Sequence, residues 1–272
     1  YGEPGALTIQ KVGAGGAPLA GAVLGLVDAG GNRIGPVTVD DEGEATFRNI
    51  VPGNYHLIEL SAPAGYTVSE TLVAGMPVTV NSSTTSGVVF TVPNAQTEIS
   101  LRKVNQQGQP LAGAQYQLQR LDENNQYVPV DNTVYQSGAD GVVRANGMTE
   151  GQYRFVETKA PDGYILDTTP VDLILTQGTQ GMVGPARAGD IVNYRASLQL
   201  LKTNEVATPL EGAEYTLSRQ DGSLFGTYQT GPDGILRITG IGPGSYILRE
   251  TQAPPGYEAV SDPREITIPG TY

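Results

Sequence analysis

The chain has 272 residues, a formal net charge of -12 and no cysteine. The negative charge argues against a nucleic-acid partner, because neutralising phosphates requires clustered Lys and Arg side chains. The lack of cysteine excludes disulfides, thiol catalysis and zinc–thiolate sites, and no apolar run reaches the length of a membrane span. With 36 glycines and 19 prolines, the composition favours many short strands joined by tight turns.

Three repeats of similar sequence follow one another along the chain. Each begins with an alternating, strand-like segment that ends in a lysine and leads into a Pro-Leu-x-Gly-Ala turn; these lysines are Lys11, Lys103 and Lys202. A repeat of about a hundred residues is long enough to be a domain with its own core. The sequence therefore predicts three tandem domains, with boundaries at residues 1–96, 97–195 and 196–272.

Within each repeat the apolar segments are short and the turns between them are explicit. About seven short strands per repeat predict an all-β protein built of three Greek-key β-sandwiches. The third repeat is incomplete, since residues 264–272 match its penultimate strand and no counterpart of residues 87–94 follows. We expect the third sandwich to lack its last strand, which either a continuation of the natural chain or another chain would supply.

The most regular feature is the motif Glu-x-x-Ala-Pro-x-Gly-Tyr, which occurs at residues 59–66, 157–164 and 250–257. A short alternating run precedes each copy and predicts a strand whose inward, apolar face carries the glutamate. The glutamates are Glu59, Glu157 and Glu250. An inward carboxylate is costly unless a partner compensates it. The Pro and Gly are expected to shape a turn and the Tyr to pack over the domain edge.

The same alternation of side chains predicts that lysine and asparagine residues also point inward. Lys11 continues the apolar face of the first strand, Phe90 and Val92 share a face with Asn94, and Asn193 has the matching position in the second repeat. Each complete repeat thus combines one inward Lys, one Glu and one Asn at closely matching spacing. Three of the four lysines hold this position, which indicates a need for an amine that can lose its proton, as arginine cannot.

These three residue types suggest a reaction between side chains. Burial lowers the pKa of a lysine and raises that of a carboxylic acid, so the pair could exist as neutral amine and protonated acid. The amine could then attack the Asn carboxamide while the acid polarises the amide oxygen and shuttles protons as ammonia leaves. The product would be a Lys–Asn isopeptide bond. The alternative is a buried Lys–Glu salt bridge, with the Asn capping a turn.

The pattern resembles the B-type (CnaB) repeats of the collagen adhesin family, also called SpaA-type or prealbumin-like domains, which occur in Gram-positive surface proteins and pilins. The resemblance rests on the first-strand Lys, the Pro-Leu-x-Gly-Ala turn, the glutamate motif and the last-strand Asn. It implies an immunoglobulin-like or prealbumin-like sandwich, an extracellular location on the cell wall or pilus, and spontaneous isopeptide bonds. These would be Lys11–Asn94, promoted by Glu59, and Lys103–Asn193, promoted by Glu157. Lys202 and Glu250 have no acceptor within the sequence.

Three functions remain open. The first is a structural stalk or pilin segment, in which cross-linked sandwiches resist axial load. The second is an adhesin whose own sandwich surface binds a host matrix or cell-surface ligand, for which residues 121–133 would be the place to look. The third is an accessory β-sandwich of a secreted hydrolase. A conventional enzyme is not expected, because the sequence has no Ser-His-Asp set, metal cluster or phosphate loop; it implies no cofactor and no metal.

The expected protein partners are other pilin or surface-protein subunits, joined through sortase. Such attachment needs a donor lysine, and Lys159 is the one lysine outside the repeated position. It lies inside the second copy of the glutamate motif and is predicted to be exposed. The alternative is that Lys159 is an ordinary solvated loop lysine.

Overall fold

The computed structural model describes residues 4–13, 15–81, 89–176, 185–260 and 262–272. The side chain of Phe90, predicted on an inward face, lies outside the described part, as do residues 87 and 88 of the predicted last strand. The regular elements of the described residues are all β-strands except for one short helix. No helix in these ranges combines the length and apolarity that a membrane crossing requires.

The first repeat folds into two sheets that share one core. Its elements are β1 (Gly5–Val12), β2 (Val23–Asp28), β3 (Arg33–Thr38), β4 (Glu44–Ile50), β5 (Gly53–Ser61), α1 (Glu70–Val73), β6 (Met76–Val80) and β7 (Val89–Pro93). One sheet has the order β4-β1-β7 and the other β3-β2-β5-β6. The central strand β1 pairs antiparallel with β4 and parallel with β7. Alternate residues of β1, including Leu7 and Ile9, are fully buried between the sheets, as the period of two predicts.

The second repeat has the same plan. Its strands are β8 (Glu98–Val104), β9 (Gln115–Leu121), β10 (Tyr127–Pro129), β11 (Tyr135–Gln136), β12 (Val142–Asn146), β13 (Gly151–Lys159), β14 (Val171–Leu175) and β15 (Ala186–Val192). The sheets have the orders β12-β8-β15 and β10-β9-β13-β14, with β11 also paired to β9. The first strand, β8, again lies between an antiparallel neighbour and the parallel last strand β15.

The third repeat has the larger sheet complete and the smaller one incomplete. Its strands are β16 (Ala196–Leu201), β17 (Glu214–Arg219), β18 (Leu224–Gln229), β19 (Ile235–Ile241), β20 (Gly244–Gln252) and β21 (Arg264–Ile268). The larger sheet has the order β18-β17-β20-β21, whereas β16 pairs with β19 alone among the described strands. The prediction of three all-β Greek-key sandwiches, the third without its last strand, is confirmed.

The glutamate motif contacts the next repeat at each junction. At the first junction, the Thr97 amide donates to the carbonyl of Gly65 at 2.8 Å, and the Gly147 amide donates to the carbonyl of Thr97 at 2.9 Å. The Thr97 hydroxyl is buried and donates to the carbonyl of Met148 at 2.5 Å. These hydrogen bonds hold the turn of the first motif against the second sandwich. A short linker with such bonds favours a stiff connection between the two sandwiches.

The glycine of the motif provides a test of this junction. Gly65 has φ +80° and a Cβ at this position would overlap the backbone carbonyl of Gly147. We expect Gly65→Ala to lower the free energy of unfolding by about 3 kcal/mol, because left-handed strain and backbone overlap add together. Differential scanning calorimetry of the purified chain measures the loss.

Gly256 is the matched control, since it holds the same motif position in the third repeat. Its φ is +86°, but an added Cβ would have no atom within 4 Å. Gly256→Ala should therefore show the backbone strain alone, about 1–2 kcal/mol. Equal losses in the two variants would contradict the close contact between Gly65 and Gly147.

Candidate functional site

Each sandwich holds one lysine and one glutamate inside its core. The lysine extends from the first strand of the smaller sheet and the glutamate from the strand of the larger sheet that carries the repeated motif. The Nζ to carboxylate distances are 3.5 Å for Lys11–Glu59, 3.3 Å for Lys103–Glu157 and 3.0 Å for Lys202–Glu250. The first two pairs are completely buried, whereas the Lys202 side chain is 15% exposed.

An asparagine completes the set in the first two sandwiches. Asn94 and Asn193 directly follow the parallel last strands, and their backbone amides continue the ladder by donating to the carbonyls of Val12 (3.1 Å) and Val104 (3.0 Å). This pairing places each asparagine beside the strand that carries the lysine. The Asn94 side-chain amide donates to both Glu59 oxygens at 3.1 and 3.0 Å. The structure therefore brings together the predicted triads, which are Lys11, Glu59 and Asn94, and Lys103, Glu157 and Asn193.

The second triad has nearly the same geometry. The Asn193 side-chain amide donates to Glu157 Oε1 at 2.9 Å and to the backbone carbonyl of Ile165 at 3.1 Å. In the first triad the corresponding carbonyl belongs to Thr67, at 2.5 Å from Asn94 Nδ2. Each asparagine side chain is thus held between the glutamate and one backbone carbonyl.

The segment after the motif turn binds the carboxylate from the other side. The turn itself forms as predicted, with the Tyr66 amide donating to the Pro63 carbonyl at 3.1 Å. Ten residues beyond each glutamate, a backbone amide donates to its carboxylate: Ser69 to Glu59 at 2.7 Å, Asp167 to Glu157 at 3.1 Å and Val260 to Glu250 at 3.3 Å. The motif therefore does more than turn the chain, because it returns the backbone across the carboxylate. This positioning role was missing from the sequence prediction.

Several polar atoms of the triads are buried without a hydrogen bond among the described residues. They are Lys11 Nζ, Glu157 Oε2, and the Oδ1 atoms of Asn94 and Asn193. The closest contact of Lys11 Nζ is an ion pair with Glu59 at 3.5 Å. Unpaired buried polar atoms are costly and cluster where chemistry occurs. In the first triad neither the amine nor the amide oxygen has a hydrogen bond among the described residues.

The buried environment shifts two of the lysines toward the neutral amine. Burial lowers the pKa of Lys11 from its ordinary value, and the nearby charge of Glu59 only partly opposes this effect. Burial likewise lowers the pKa of Lys103, opposed by Glu157. A lysine must be neutral to act as a nucleophile, so the two complete sites shift both amines toward the reactive form. The described residues contain no group of side chains suited to a metal ion.

Comparison with known proteins identifies the repeats. The sequence profile described as the SpaA prealbumin-like fold domain matches the chain three times, over residues 5–94, 97–183 and 196–271. The chain belongs to the SpaA prealbumin-like domain family. No protein of curated function matches the sequence.

Solved structures similar to the chain include two pilins and the Bacillus anthracis TIE protein. The TIE protein is 23% identical with a TM-score of 0.44, and the match covers 99% of this chain and 49% of that one, so the chain spans about half of the TIE protein. A streptococcal ancillary pilin is 17% identical with a TM-score of 0.43, covering 98% and 95%. BcpA, the major pilin subunit of Bacillus cereus, is 16% identical with a TM-score of 0.35, covering 99% and 97%.

A tyrosine beside the glutamate is a further site residue of these SpaA domains that the sequence reasoning missed. Tyr116 pairs across the sheet with Glu157, and Tyr215 pairs with Glu250. The ring of Tyr116 lies 5.5 Å from Lys103 Nζ, and burial next to Glu157 raises the pKa of its hydroxyl. In the first SpaA domain Leu24 occupies this place. The signal was present, since both tyrosines follow the Pro-Leu-x-Gly-Ala turn by two residues.

The remaining predicted residues lie outside the triads. Lys202 and Glu250 meet in the third SpaA domain, and no asparagine of the described residues bonds to that glutamate. Lys159 is the last residue of β13 and is exposed. Residues 121–133, predicted as a loop, include the short strand β10, where the guanidinium of Arg154 lies 4.1 Å from the ring centre of Tyr127. One face of the Tyr127 ring is therefore already in contact with Arg154 of the same chain.

Proposed function

We propose that the chain is a structural stalk or pilin segment of a Gram-positive surface protein, and that its complete domains are locked by self-formed isopeptide bonds. The proposed bonds are Lys11–Asn94 and Lys103–Asn193, with Glu59 and Glu157 as the promoting acids. The domains are residues 1–96, 97–195 and 196–272. The observation that carries the proposal is the duplicated buried triad between parallel first and last strands.

The triad geometry supports a balanced route to the bond. The glutamate carboxylate, 3.5 Å from the amine in the first site, accepts one ammonium proton and leaves a neutral amine. The amine nitrogen attacks the asparagine carbonyl carbon, and the protonated acid, which contacts Nδ2 of the asparagine, donates its proton to that leaving nitrogen. The bond from that carbon to Nδ2 then breaks, and ammonia leaves with the proton relayed by the glutamate. A second lysine proton passes to solvent, and the third remains on the new amide.

An amide is a poor electrophile. Holding the three groups together in a buried site compensates for this low reactivity. Asn94 is fixed by Glu59 and the Thr67 carbonyl, so little motion is lost when the amine approaches. The reaction also removes a buried lysine charge and gives the Lys11 nitrogen, which has no hydrogen bond among the described residues, a permanent covalent partner. Because the lysine is consumed, each domain reacts once and the protein does not turn over a substrate.

The position of the bonds suits a load-bearing protein. Each bond would join the first strand to the parallel last strand, which are the two ends of the domain. An axial force would then pass through the bond and bypass the remaining strands. Extracellular attachment to other subunits through sortase would use an exposed donor lysine, for which Lys159 is the candidate.

Three matched substitutions test the role of the acids. We expect Glu59→Gln and Glu157→Gln each to lack one of the two bonds, because a carboxamide cannot relay the lysine proton. The mass of the denatured protein, compared with the mass of each variant's own sequence, should then be low by one ammonia instead of two. Glu250→Gln is the control and should keep the full deficit of two. Retention of both bonds in Glu59→Gln would reject that residue as the promoting acid.

A further inference from the structure

The sequence contains one Asn-Gly dipeptide, Asn146-Gly147, and it lies where the first two sandwiches meet. Asn146 is the last residue of β12 and is exposed. Gly147 follows with φ +77°, a conformation that glycine adopts without strain. Because glycine has no side chain to shield its nitrogen, that nitrogen is open to the carboxamide of the preceding asparagine.

An asparagine in this position can undergo deamidation without a catalyst. The Gly147 amide nitrogen loses its proton to solvent and attacks Cγ of Asn146, so that a bond forms between these two atoms. The bond from Cγ to Nδ2 breaks, and ammonia leaves with a proton taken from solvent. Water then opens the cyclic succinimide at either carbonyl carbon. The products are aspartate and isoaspartate, and in isoaspartate the main chain runs through the former side chain and is longer by one carbon.

The closed junction keeps the reacting groups apart. Asn146 has the extended backbone of a strand, which directs the next amide away from its own side chain, and the Gly147 amide donates to the carbonyl of Thr97 at 2.9 Å. Thr97 is buried and is fixed by the first sandwich, since its amide donates to the carbonyl of Gly65 at 2.8 Å. Gly65 also packs against the backbone of Gly147. Ring closure therefore requires the junction to open.

The product does not fit the closed junction. Asn146 lies directly opposite Glu98 in the pairing of β12 with β8. A carboxylate in place of the Asn146 amide faces a second carboxylate, and like charges directly opposite each other destabilise a sheet. In isoaspartate the longer main chain also displaces the Gly147 amide from the carbonyl of Thr97. A reaction during one opening thus weakens the junction permanently.

We propose that Asn146-Gly147 is a spontaneous modification site whose reaction is controlled by the junction between the first and second sandwiches. The closed junction suppresses the reaction, and conversion to isoaspartate leaves the junction loosened. Local opening and closing are fast relative to this chemistry, so the rate follows the fraction of chains with an open junction. The inference does not depend on the bonds proposed within the sandwiches.

Peptide mapping of the aged protein provides the measurement. The whole chain is kept at mildly alkaline pH in heavy-oxygen water, either folded or in denaturant, and is then cleaved with trypsin. Cleavage after Arg144 and Arg154 releases residues 145–154. In this peptide isoaspartate is separated from aspartate by chromatography, and each product carries one heavy oxygen from the water. We expect the denatured chain to react much faster than the folded chain, and Asn146→Gln to give neither product.

Two pairs of matched variants test the control by the junction. Gly65→Ala forces a Cβ against Gly147 and should raise the rate in the folded chain about tenfold, whereas Gly256→Ala, whose Cβ meets no atom, should leave it unchanged. Thr97→Ala removes the hydroxyl that donates to the carbonyl of Met148 and should raise the rate roughly fivefold. Thr97→Ser keeps the hydroxyl and should react at the rate of the unsubstituted chain.

Each outcome supports or overturns the inference. A higher rate in Gly65→Ala or in Thr97→Ala than in its matched control supports it, and the Thr97 pair decides alone if Gly65→Ala does not fold. Equal rates within both pairs overturn the control by the junction. Equal rates in the folded and denatured chains overturn the protection, and a denatured chain without isoaspartate rejects Asn146 as the reactive residue.

Discussion

Replacing Asn94 by alanine is expected to lower the free energy of unfolding of the first sandwich by about 4 kcal/mol. The proposed Lys11–Asn94 bond closes a loop of about 80 residues, and a covalent link across a loop of that size restricts the unfolded chain by roughly this free energy. The variant also leaves Lys11 and Glu59 buried without their third partner. Calorimetry of the intact chain should show one transition moved to lower temperature while the second sandwich keeps its own.

A double substitution separates the bond from ordinary packing. Because bond formation needs both residues, Glu59→Gln alone should already lose most of the same stability. The double variant Glu59→Gln/Asn94→Ala should then be only slightly less stable than either single variant, a strongly non-additive result. A coupling energy of only about 0.5–3 kcal/mol, the range for neighbours in one hydrogen-bond network, would indicate a hydrogen-bonded Lys–Glu–Asn cluster without a covalent bond.

The largest expected effect concerns extension under force. With the Lys103–Asn193 bond in place, pulling on the two ends of the chain should release no length from the residues between them. In Lys103→Arg, the guanidinium cannot form the bond, and unfolding of the second sandwich should release about 300 Å, since about 90 extended residues span that distance. Single-molecule force spectroscopy measures this difference directly.

The third sandwich serves as an internal reference in the same experiment. It has the Lys202–Glu250 pair, but no asparagine of the described residues bonds to Glu250, so it should unfold and extend in both proteins. A full extension step from the second sandwich of the unsubstituted chain would contradict the proposed bond. The absence of any extension from the third would contradict the difference between the complete and incomplete sandwiches.

The alternating pattern carried most of the information about the site. Lys11, Glu59 and Asn94 could be placed inside the first sandwich because side chains in a strand alternate between faces. The same rule located the second triad, and all these residues are buried in the structure. The missing last strand was also visible, because the third repeat could be compared with its two neighbours. Repetition thus turned a weak signal in one domain into a specific pattern.

The contacts made by backbone atoms could not be predicted in the same way. The carbonyl of Thr67 and the amide of Ser69 hold the first triad, but any residue type supplies those groups, so no side-chain pattern marks them. The approach of Gly65 to Gly147 depends on how consecutive sandwiches meet. Tyr116 was overlooked for a different reason: its counterpart in the first repeat is Leu24, so two repeats of three carry the signal.

The mass of the intact chain after denaturation tests the central claim most directly. Each Lys–Asn bond removes one ammonia, whereas salt bridges and hydrogen bonds leave the mass unchanged. Two bonds predict that the unsubstituted protein is lighter than its sequence by two ammonia molecules. Peptide mapping should assign one loss to Lys11–Asn94 and the other to Lys103–Asn193. A mass equal to that of the sequence would contradict the account, and the buried triads would then be non-covalent clusters.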